Sequence, residues 1–250
     1  MCFPDDAHPP PPPLARIRGG AEDHGDLVLQ SADGTEFAAY YAHPDAPSST
    51  GIVILPDVRG LHGFYKELAQ RFADAGLHAV AIDYFGRTAG IGARPDDFPW
   101  REHTDKLQPE HVSDDVGAAV DWLRGLAGGT VRSVFTVGFC FGGAYSWSQS
   151  AASHGLAGCI GFYGRPDRVA DVVDEMEAPL LLLAAGRDRT PVEAVEELAE
   201  QVRVAGVEAE LHVYPDAPHS FFDRRFSEYQ DECADAWRRM LDFVDRHRTA

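Results

Sequence analysis

Long apolar runs are missing from the 250-residue sequence. None reaches the ~18 consecutive apolar residues that a membrane-spanning helix needs. The first residues, MCFPDDAHPPPPP, carry acids and prolines where a secretion signal has a basic flank and an apolar stretch. We therefore expect a cytoplasmic protein that does not bind membranes.

Basic residues are scarce relative to acidic ones. The chain has 22 lysines and arginines against 40 aspartates and glutamates, which gives a formal net charge of -18 at pH 7. A surface with this charge repels nucleic acid and anionic membranes, so neither is an expected partner. The sequence has no pattern that indicates an oligomeric state.

Cysteine and cofactor motifs are also rare or absent. The four cysteines, Cys2, Cys140, Cys159 and Cys233, form no CxxC pair and have no histidine at metal-ligand spacing. HExxH, P-loop and GxGxxG motifs do not occur. We therefore expect no metal site and no cofactor. Cys159 and Cys233 lie in apolar runs, which favours buried free thiols.

The N-terminal segment, residues 1–24, contains five consecutive prolines from Pro9 to Pro13. A proline run favours an extended polyproline conformation that has no core of its own. We predict a flexible leader here and a single domain over residues 25–250.

The rest of the chain alternates between strand-like and helix-like segments. DLVLQS and EFAAYYAH, joined by the turn residues ADGT, predict an antiparallel hairpin. Continuous apolar runs such as GIVILP and APLLLLAAG then alternate with helical segments, which is typical of parallel strands buried on both faces. The sequence predicts an α/β fold with a mostly parallel central sheet, helices on both faces and antiparallel first strands.

One segment, residues 87–111, breaks this alternation. It is long, polar and proline-bearing, and connections of this kind are usually functional or mobile. We predict a loop excursion from the domain. The helix expected after it, VSDDVGAAVDWLRGLAGG, has Ser113 as its predicted N-cap.

Four reactive residues follow predicted strands. Asp57 follows GIVILP, Cys140 follows SVFTVGF, Asp188 follows LLLLAAGR and His219 follows LHVYPDAP. Ligands of open α/β sheets bind outside the carboxyl ends of the strands. The order Cys, Asp, His matches the triad order of α/β-hydrolases, with cysteine in place of serine. We predict Cys140 as nucleophile, His219 as its base and Asp188 as the residue that orients the imidazole.

The surroundings of Cys140 fit a sharp turn between a strand and a helix. Such a turn needs small flanking residues, and Gly138 and Gly142 supply them. The start of the following helix lowers a thiol pKa and can stabilise an oxyanion. We predict that the backbone N–H groups of Phe141 and Val58 form the oxyanion hole.

These residues give the chain a resemblance to a known family. On GFCFGG, AAGRDRTP, DAPHSFF, PDVRGL and AIDYFGR, it resembles the dienelactone hydrolases from about Asp26 to its C-terminal helix. The resemblance implies an α/β-hydrolase fold and the opening of an ester or lactone through an acyl-thioester intermediate. It implies the same roles for Cys140, Asp188 and His219.

The sequence departs from the family pattern at two places. Asp57 stands where the family usually has a glutamate that contacts the resting thiol. The resemblance also implies two arginines that grip a substrate carboxylate, and Arg87 fits the first. At the second position the chain has Asp223, with Arg224 next to it. A carboxylate there repels an anionic substrate, so we expect a different substrate.

Aromatic side chains around these positions favour an apolar substrate pocket. We expect Trp100 and Phe98 to cover it, and a small, uncharged or weakly charged ester or lactone to fill it. The other predicted lining residues are Phe139, Phe141, Tyr163, Phe221 and Phe222.

Two other functions fit parts of the sequence. A hydrolase scaffold that has lost turnover could bind or sense a small molecule, and Asp57 and Asp223 favour this reading. A low-pKa thiol at Cys140 could serve redox chemistry, with Cys159 near it in space. Turnover that depends on Cys140 and His219 distinguishes the hydrolase from both.

Overall fold

The computed structural model contains one eight-stranded sheet with the strand order β1-β2-β4-β3-β5-β6-β7-β8. It describes residues 7–21, 23–95, 97–126, 129–223 and 225–249. The strands are β1 Asp23–Gln30, β2 Glu36–His43, β3 Thr50–Leu55, β4 His78–Ile82, β5 Ser133–Phe139, β6 Gly158–Phe162, β7 Leu180–Arg187 and β8 Ala209–Pro218. β2 pairs antiparallel with β1 and β4, and the other pairs are parallel. The fold class predicted from the sequence is confirmed.

Helices cover both faces of this sheet. They are α1 Gly63–Asp74, α2 Gly86–Ala89, α3 Trp100–Thr104, α4 Pro109–Gly125, α5 Phe141–Ser148, α6 Val192–Val204 and α7 Gln230–His247. Among the described residues, none of these helices has both the length and the apolar character needed to cross a bilayer.

The alternation of side chains along the buried strands separates the two faces. In β3, Ile52 and Ile54 pack with α1 and α7, whereas Val53 and Leu55 pack with α4. Another cluster joins α5 and α6 against β7. Because β3 is covered on both faces, all its residues are buried, as its continuous apolar run predicts.

The segment predicted as a flexible leader makes defined contacts in its described part. The indole N–H of Trp237 in α7 donates to the carbonyl oxygen of Pro10 over 2.9 Å. Arg16 forms ion pairs with Asp242 and Asp245, each at 2.7 Å. A polyproline chain leaves its carbonyl groups free to accept hydrogen bonds, and α7 supplies the donor.

Residues 87–111 are more helical than the sequence suggests. They include most of α2, all of α3 and the start of α4. α4 begins at Pro109, whose missing N–H is tolerated in a first turn. Gln108 is therefore at the N-cap position and Ser113 lies inside the helix, so the predicted N-cap was wrong.

Candidate active site

Cys140 lies at the turn between β5 and α5. Its φ of 56° and ψ of -111° fall in a region that side chains other than glycine rarely adopt. Its N–H donates to the carbonyl oxygen of Phe162 over 3.1 Å, and its own carbonyl oxygen accepts from the N–H of Gly143 over 3.1 Å. A strained turn of this kind, fixed on both sides, exposes a side chain at the carboxyl end of a strand, where a nucleophile could be placed.

The glycines around Cys140 allow backbones to approach closely. A Cβ atom at Gly138 would lie 1.9 Å from the carbonyl oxygen of Gly142. One at Gly142 would lie 2.2 Å from the carbonyl oxygens of Leu55 and Pro56. No side chain fits at these positions, which is the physical reason for the glycines beside the cysteine.

His219 and Asp188 meet at the ends of neighbouring strands. Nδ1 of His219 lies 2.7 Å from Oδ2 of Asp188, and the other carboxylate oxygen accepts from the N–H of Arg189. The Asp188 side chain is 5% exposed, whereas that of His219 is 37% exposed. The aspartate is thus held inside while the imidazole reaches the surface of the site.

The electrostatics of His219 favour its charged form. Burial lowers the pKa of His219. Hydrogen bonds with Asp188 and Cys140 and the charges of both partners raise it by more than burial lowers it, so that the pKa is about 10. The imidazole therefore carries a proton at neutral pH, next to the Cys140 sulfur. Such a pairing favours a thiolate.

The other cysteines in the described part of the chain have the opposite character. Burial raises the pKa of Cys159 to about 12 and also raises that of Cys233. A buried thiol with a raised pKa is not reactive. No group of three or more histidine, cysteine or acidic side chains that could hold a metal occurs among the described residues.

Val58 lies in a tight turn after β3. The N–H of Gly60 donates to the carbonyl oxygen of Asp57 over 3.1 Å, and Oδ1 of Asp57 accepts from the N–H of Arg59 over 2.9 Å. The Val58 side chain and Cys140 pack against the same apolar cluster. The turn therefore follows the strand next to β5, and Val58 and Cys140 pack on the same face of the sheet.

Asp57 is fully buried, and two tyrosines hold its backbone. Its N–H donates to the hydroxyl oxygen of Tyr65 over 2.9 Å, and its carbonyl oxygen accepts from the Tyr84 hydroxyl over 2.8 Å. Burial and the negative charges of Asp57 and Cys140 raise the pKa of Tyr84. A carboxylate thus shares this site with the thiol, although the longer glutamate of the family is absent.

Tyr84 and Tyr65 were missed by the sequence reasoning. The hydroxyl of Tyr84 also donates to the carbonyl oxygen of Pro56, so it fixes the end of β3 from β4. The available signal was its position, because Tyr84 follows β4 at the same sheet edge as the predicted triad.

Tyr163 and Asp223 form a buried pair on the other side of the site. The Tyr163 hydroxyl donates to Oδ2 of Asp223 over 3.1 Å, and the Tyr163 ring lies 4.8 Å from the His219 ring. Burial raises the pKa of Tyr163, and the negative charges of Asp223 and Cys140 raise it further. Asp223 is thus part of the site wall. Arg224, the arginine next to it in the sequence, lies outside the described residues.

Phe221 and Phe222 are core residues behind the histidine. Both are completely buried. The Phe221 ring lies 4.8 Å from that of Tyr214, and the Phe222 ring lies 5.6 Å from that of Phe139. This burial gives Phe221 a supporting position under the loop, which differs from the substrate contact that the sequence suggested.

Arg87 contacts residues of the chain itself and does not have the surroundings that its predicted role requires. Its guanidinium group pairs with Asp33 in the first hairpin and with Asp115 in α4 at 3.0 Å, and it donates to Thr35 over 2.8 Å. These contacts join three elements of the fold. The family resemblance implies that this arginine binds a substrate carboxylate. Here the guanidinium group is instead paired with the carboxylates of Asp33 and Asp115.

Trp100 and Phe98 differ in their placement. The ring of Trp100 is half-buried in α3, with the Arg101 guanidinium carbon 4.9 Å from its centre. The ring of Phe98 lies 5.2 Å from that of Phe85 and packs in the same cluster as Cys140. Phe98 therefore packs on the face of the sheet that α4 covers, whereas the described ring contact of Trp100 is with its neighbour Arg101.

Known proteins resemble this chain in sequence and in fold. A model of the dienelactone hydrolase family matches residues 37–248. A curated relative from Salmonella typhi is 28% identical over 259 residues, which cover 96% of this chain and 94% of the relative. The carboxymethylenebutenolidase of Pseudomonas putida is 29% identical over 225 residues, with coverage of 87% and 94%.

A solved structure supports the fold assignment. The dienelactone hydrolase-like promiscuous phosphotriesterase P91, obtained from metagenomic libraries, is 22% identical to this chain. It superposes with a TM-score of 0.73 and coverage of 91% of this chain and 99% of P91.

Proposed function

The chain belongs to the dienelactone hydrolase family and is a carboxylic ester or lactone hydrolase, so we propose that it acts through a Cys140, His219 and Asp188 triad. The observation that carries this proposal is the series of contacts among these residues at the carboxyl ends of the strands. Asp188 lies 2.7 Å from the imidazole, whose pKa is raised by its hydrogen bond to a thiol on a strained turn. These are the contacts that nucleophilic catalysis by cysteine needs.

The proposed reaction has two steps. In the first, the Cys140 thiolate attacks the carbonyl carbon, and the His219 imidazolium gives its proton to the departing alkoxide. This leaves an acyl-thioester and a neutral imidazole. In the second, His219 takes a proton from water as the water attacks the thioester, and the thiolate leaves with the acid as product. Asp188 stabilises the imidazolium of the resting enzyme, which forms again when His219 takes the proton from water.

Backbone N–H groups stabilise the oxyanion in both steps. Phe141 is the first residue of α5, and the first N–H groups of a helix have no partner within the helix. The N–H of Val58, from the turn after β3, is the proposed second donor. Two such donors in a site that excludes water stabilise the tetrahedral intermediate.

The charges around the site favour a small substrate without a carboxylate. Asp223 is buried and accepts a hydrogen bond from Tyr163, whose ring lies 4.8 Å from that of His219. Arg87, the cation expected to bind an anion, is engaged by Asp33 and Asp115. An anionic substrate would therefore meet a negative wall, and we infer an uncharged or weakly charged ester or lactone.

The first test is the hydrolysis of p-nitrophenyl acetate at neutral pH. We expect Cys140→Ala to lower kcat by roughly a thousandfold or more, since removal of a nucleophile abolishes the covalent route. Cys159→Ala is the matched control, because Cys159 is a buried thiol in β6 with a raised pKa. Its kcat should equal that of the wild type.

Two results would contradict the proposal. Equal rates for the wild type and Cys140→Ala would remove Cys140 from the mechanism. Binding of esters and lactones by the wild type without turnover of any of them would identify a binding protein on a hydrolase scaffold.

A further inference from the structure

A buried ion pair lies behind the turn that carries Val58. Asp83 follows β4, and its Oδ2 lies 2.6 Å from Nη2 of Arg94. Their side chains are 1% and 4% exposed. Burial raises the pKa of Asp83, while Arg94 and two backbone N–H groups lower it. Burial outweighs these contacts, so the pKa of Asp83 is raised overall, and Arg94 offsets part of the cost of burying the carboxylate.

Asp83 contacts the oxyanion turn, which we define as residues 57–61. Its Oδ1 accepts from the N–H of Leu61 over 3.5 Å. Gly60 has a φ of 75°, and a Cβ atom there would lie only 2.5 Å from Oδ1 of Asp83. The backbone of the turn thus rests directly on the carboxylate. Any movement of Asp83 would be transmitted to the turn.

Arg94 belongs to the segment between α2 and α3. Besides Asp83, its guanidinium group donates to the carbonyl oxygen of Gly90 over 2.5 Å. Its guanidinium carbon lies 5.2 Å from the centre of the Phe98 ring. Phe98 in turn packs in the cluster that includes Cys140 and Val58. Through Asp83, Arg94 therefore joins the segment between α2 and α3 to the oxyanion turn.

We propose that Asp83 and Arg94 are positioning residues that hold the Val58 N–H in the oxyanion hole. This inference rests on the proposed function, because it needs an oxyanion to be formed. Neither side chain touches the reacting atoms in this scheme. Their effect is on the transition state, since a donor that moves by a fraction of an ångström still permits substrate binding but stabilises less charge.

The test compares two reactions of Cys140. Hydrolysis of p-nitrophenyl acetate forms an oxyanion, whereas alkylation by iodoacetamide displaces iodide at a saturated carbon and forms none. We expect Arg94→Met to lower kcat roughly tenfold to a hundredfold, which is part of the cost of losing one oxyanion donor. KM and the rate constant of alkylation should stay at the wild-type values.

Three further variants complete the experiment. Asp83→Asn keeps the shape of the side chain, and we expect the same selective loss of kcat if Arg94→Met does not fold. Arg94→Lys keeps the charge and should recover part of the rate. Arg203→Met is the control, because Arg203 also pairs with a carboxylate and donates to a backbone carbonyl, but in α6.

The outcomes distinguish failure of the positioning role of Asp83 and Arg94 from failure of the proposed hydrolase function. A kcat of Arg94→Met and Asp83→Asn equal to that of Arg203→Met would overturn the inference. So would a parallel loss of hydrolysis and alkylation, which identifies a general structural role. If wild-type protein is alkylated at Cys140 but hydrolyses no ester, the proposed function fails instead.

Discussion

At the scale of single residues, the site depends on how neighbours change the charge of a few side chains. His219 and Cys159 show the contrast. Hydrogen bonds with Asp188 and Cys140 raise the pKa of the histidine to about 10, whereas burial without an ionic partner raises that of the Cys159 thiol to about 12. A protonated imidazole beside a thiol favours the thiolate, which supports the proposed role of Cys140, whereas a buried thiol with a raised pKa is inert.

The pKa of His219 predicts the pH dependence of hydrolysis. The imidazolium is the proton donor, so kcat/KM should be constant near neutral pH and fall as the pH rises through about 10. Asp188→Asn removes the charged carboxylate that accepts a hydrogen bond from the imidazole and raises this pKa, so the alkaline fall of kcat/KM should move to lower pH. The measurement is kcat/KM for p-nitrophenyl acetate against pH in both proteins.

The same shift has a consequence for stability. The folded-state pKa of His219 lies above the ordinary value of 6.5. Its contribution to the free energy of unfolding is therefore fully present below pH 6.5 and is lost as the pH rises to about 10.

The pH dependence of kcat/KM also tests the role of Asp188. An alkaline fall of kcat/KM at the same pH in Asp188→Asn and in the wild type would contradict the proposed electrostatic role of Asp188.

At the scale of the elements, the elbow between β5 and α5 depends on close backbone contacts. Cys140 adopts its unusual dihedral angles at a turn where Gly142 lies against the backbone at the end of β3. The elbow is therefore a joint property of two strands and one helix, and its geometry is set before any substrate binds.

This packing predicts the cost of one methyl group. Gly142→Ala should lower the free energy of unfolding by roughly 3 kcal/mol, because its Cβ would lie 2.2 Å from two carbonyl oxygens. Gly125→Ala at the end of α4, where a Cβ meets no atom within 4 Å, should stay within about 1 kcal/mol of the wild type. Urea denaturation measures both, and equal values would refute the close contact.

At the scale of the whole molecule, distant parts of the chain support the site. Pro10 accepts a hydrogen bond from Trp237, whose ring lies 5.9 Å from that of Phe222. Phe222 is three residues beyond His219, so the N-terminal segment and α7 together support the loop that carries the histidine.

Removal of residues 1–12 tests this support. The buried indole N–H of Trp237 would lose its acceptor, which should cost about 1–3 kcal/mol in the free energy of unfolding. In a Trp237→Phe background, which has no such donor, the same deletion should cost less. Equal costs in the two backgrounds would show that the hydrogen bond contributes nothing.

The fold and the reactive residues were predictable because both follow from local patterns. Continuous apolar strands predict a parallel sheet, and the carboxyl ends of such strands share one edge. This rule predicts that Cys140, Asp188 and His219 lie close together. In the structure, Nδ1 of His219 lies 2.7 Å from Oδ2 of Asp188. The triad mechanism itself stays a prediction until turnover is measured.

Long-range contacts were beyond the reach of local patterns. The sequence determined the α/β-hydrolase fold and the order of the reactive residues, because strand and helix periodicity are properties of neighbouring positions. Only the tertiary structure decided that Asp115 engages Arg87, that Arg94 reaches Asp83 and that Trp237 holds Pro10. The partner of a charged or hydrogen-bonding side chain is set by which distant segments the folded chain brings within a few ångströms of it.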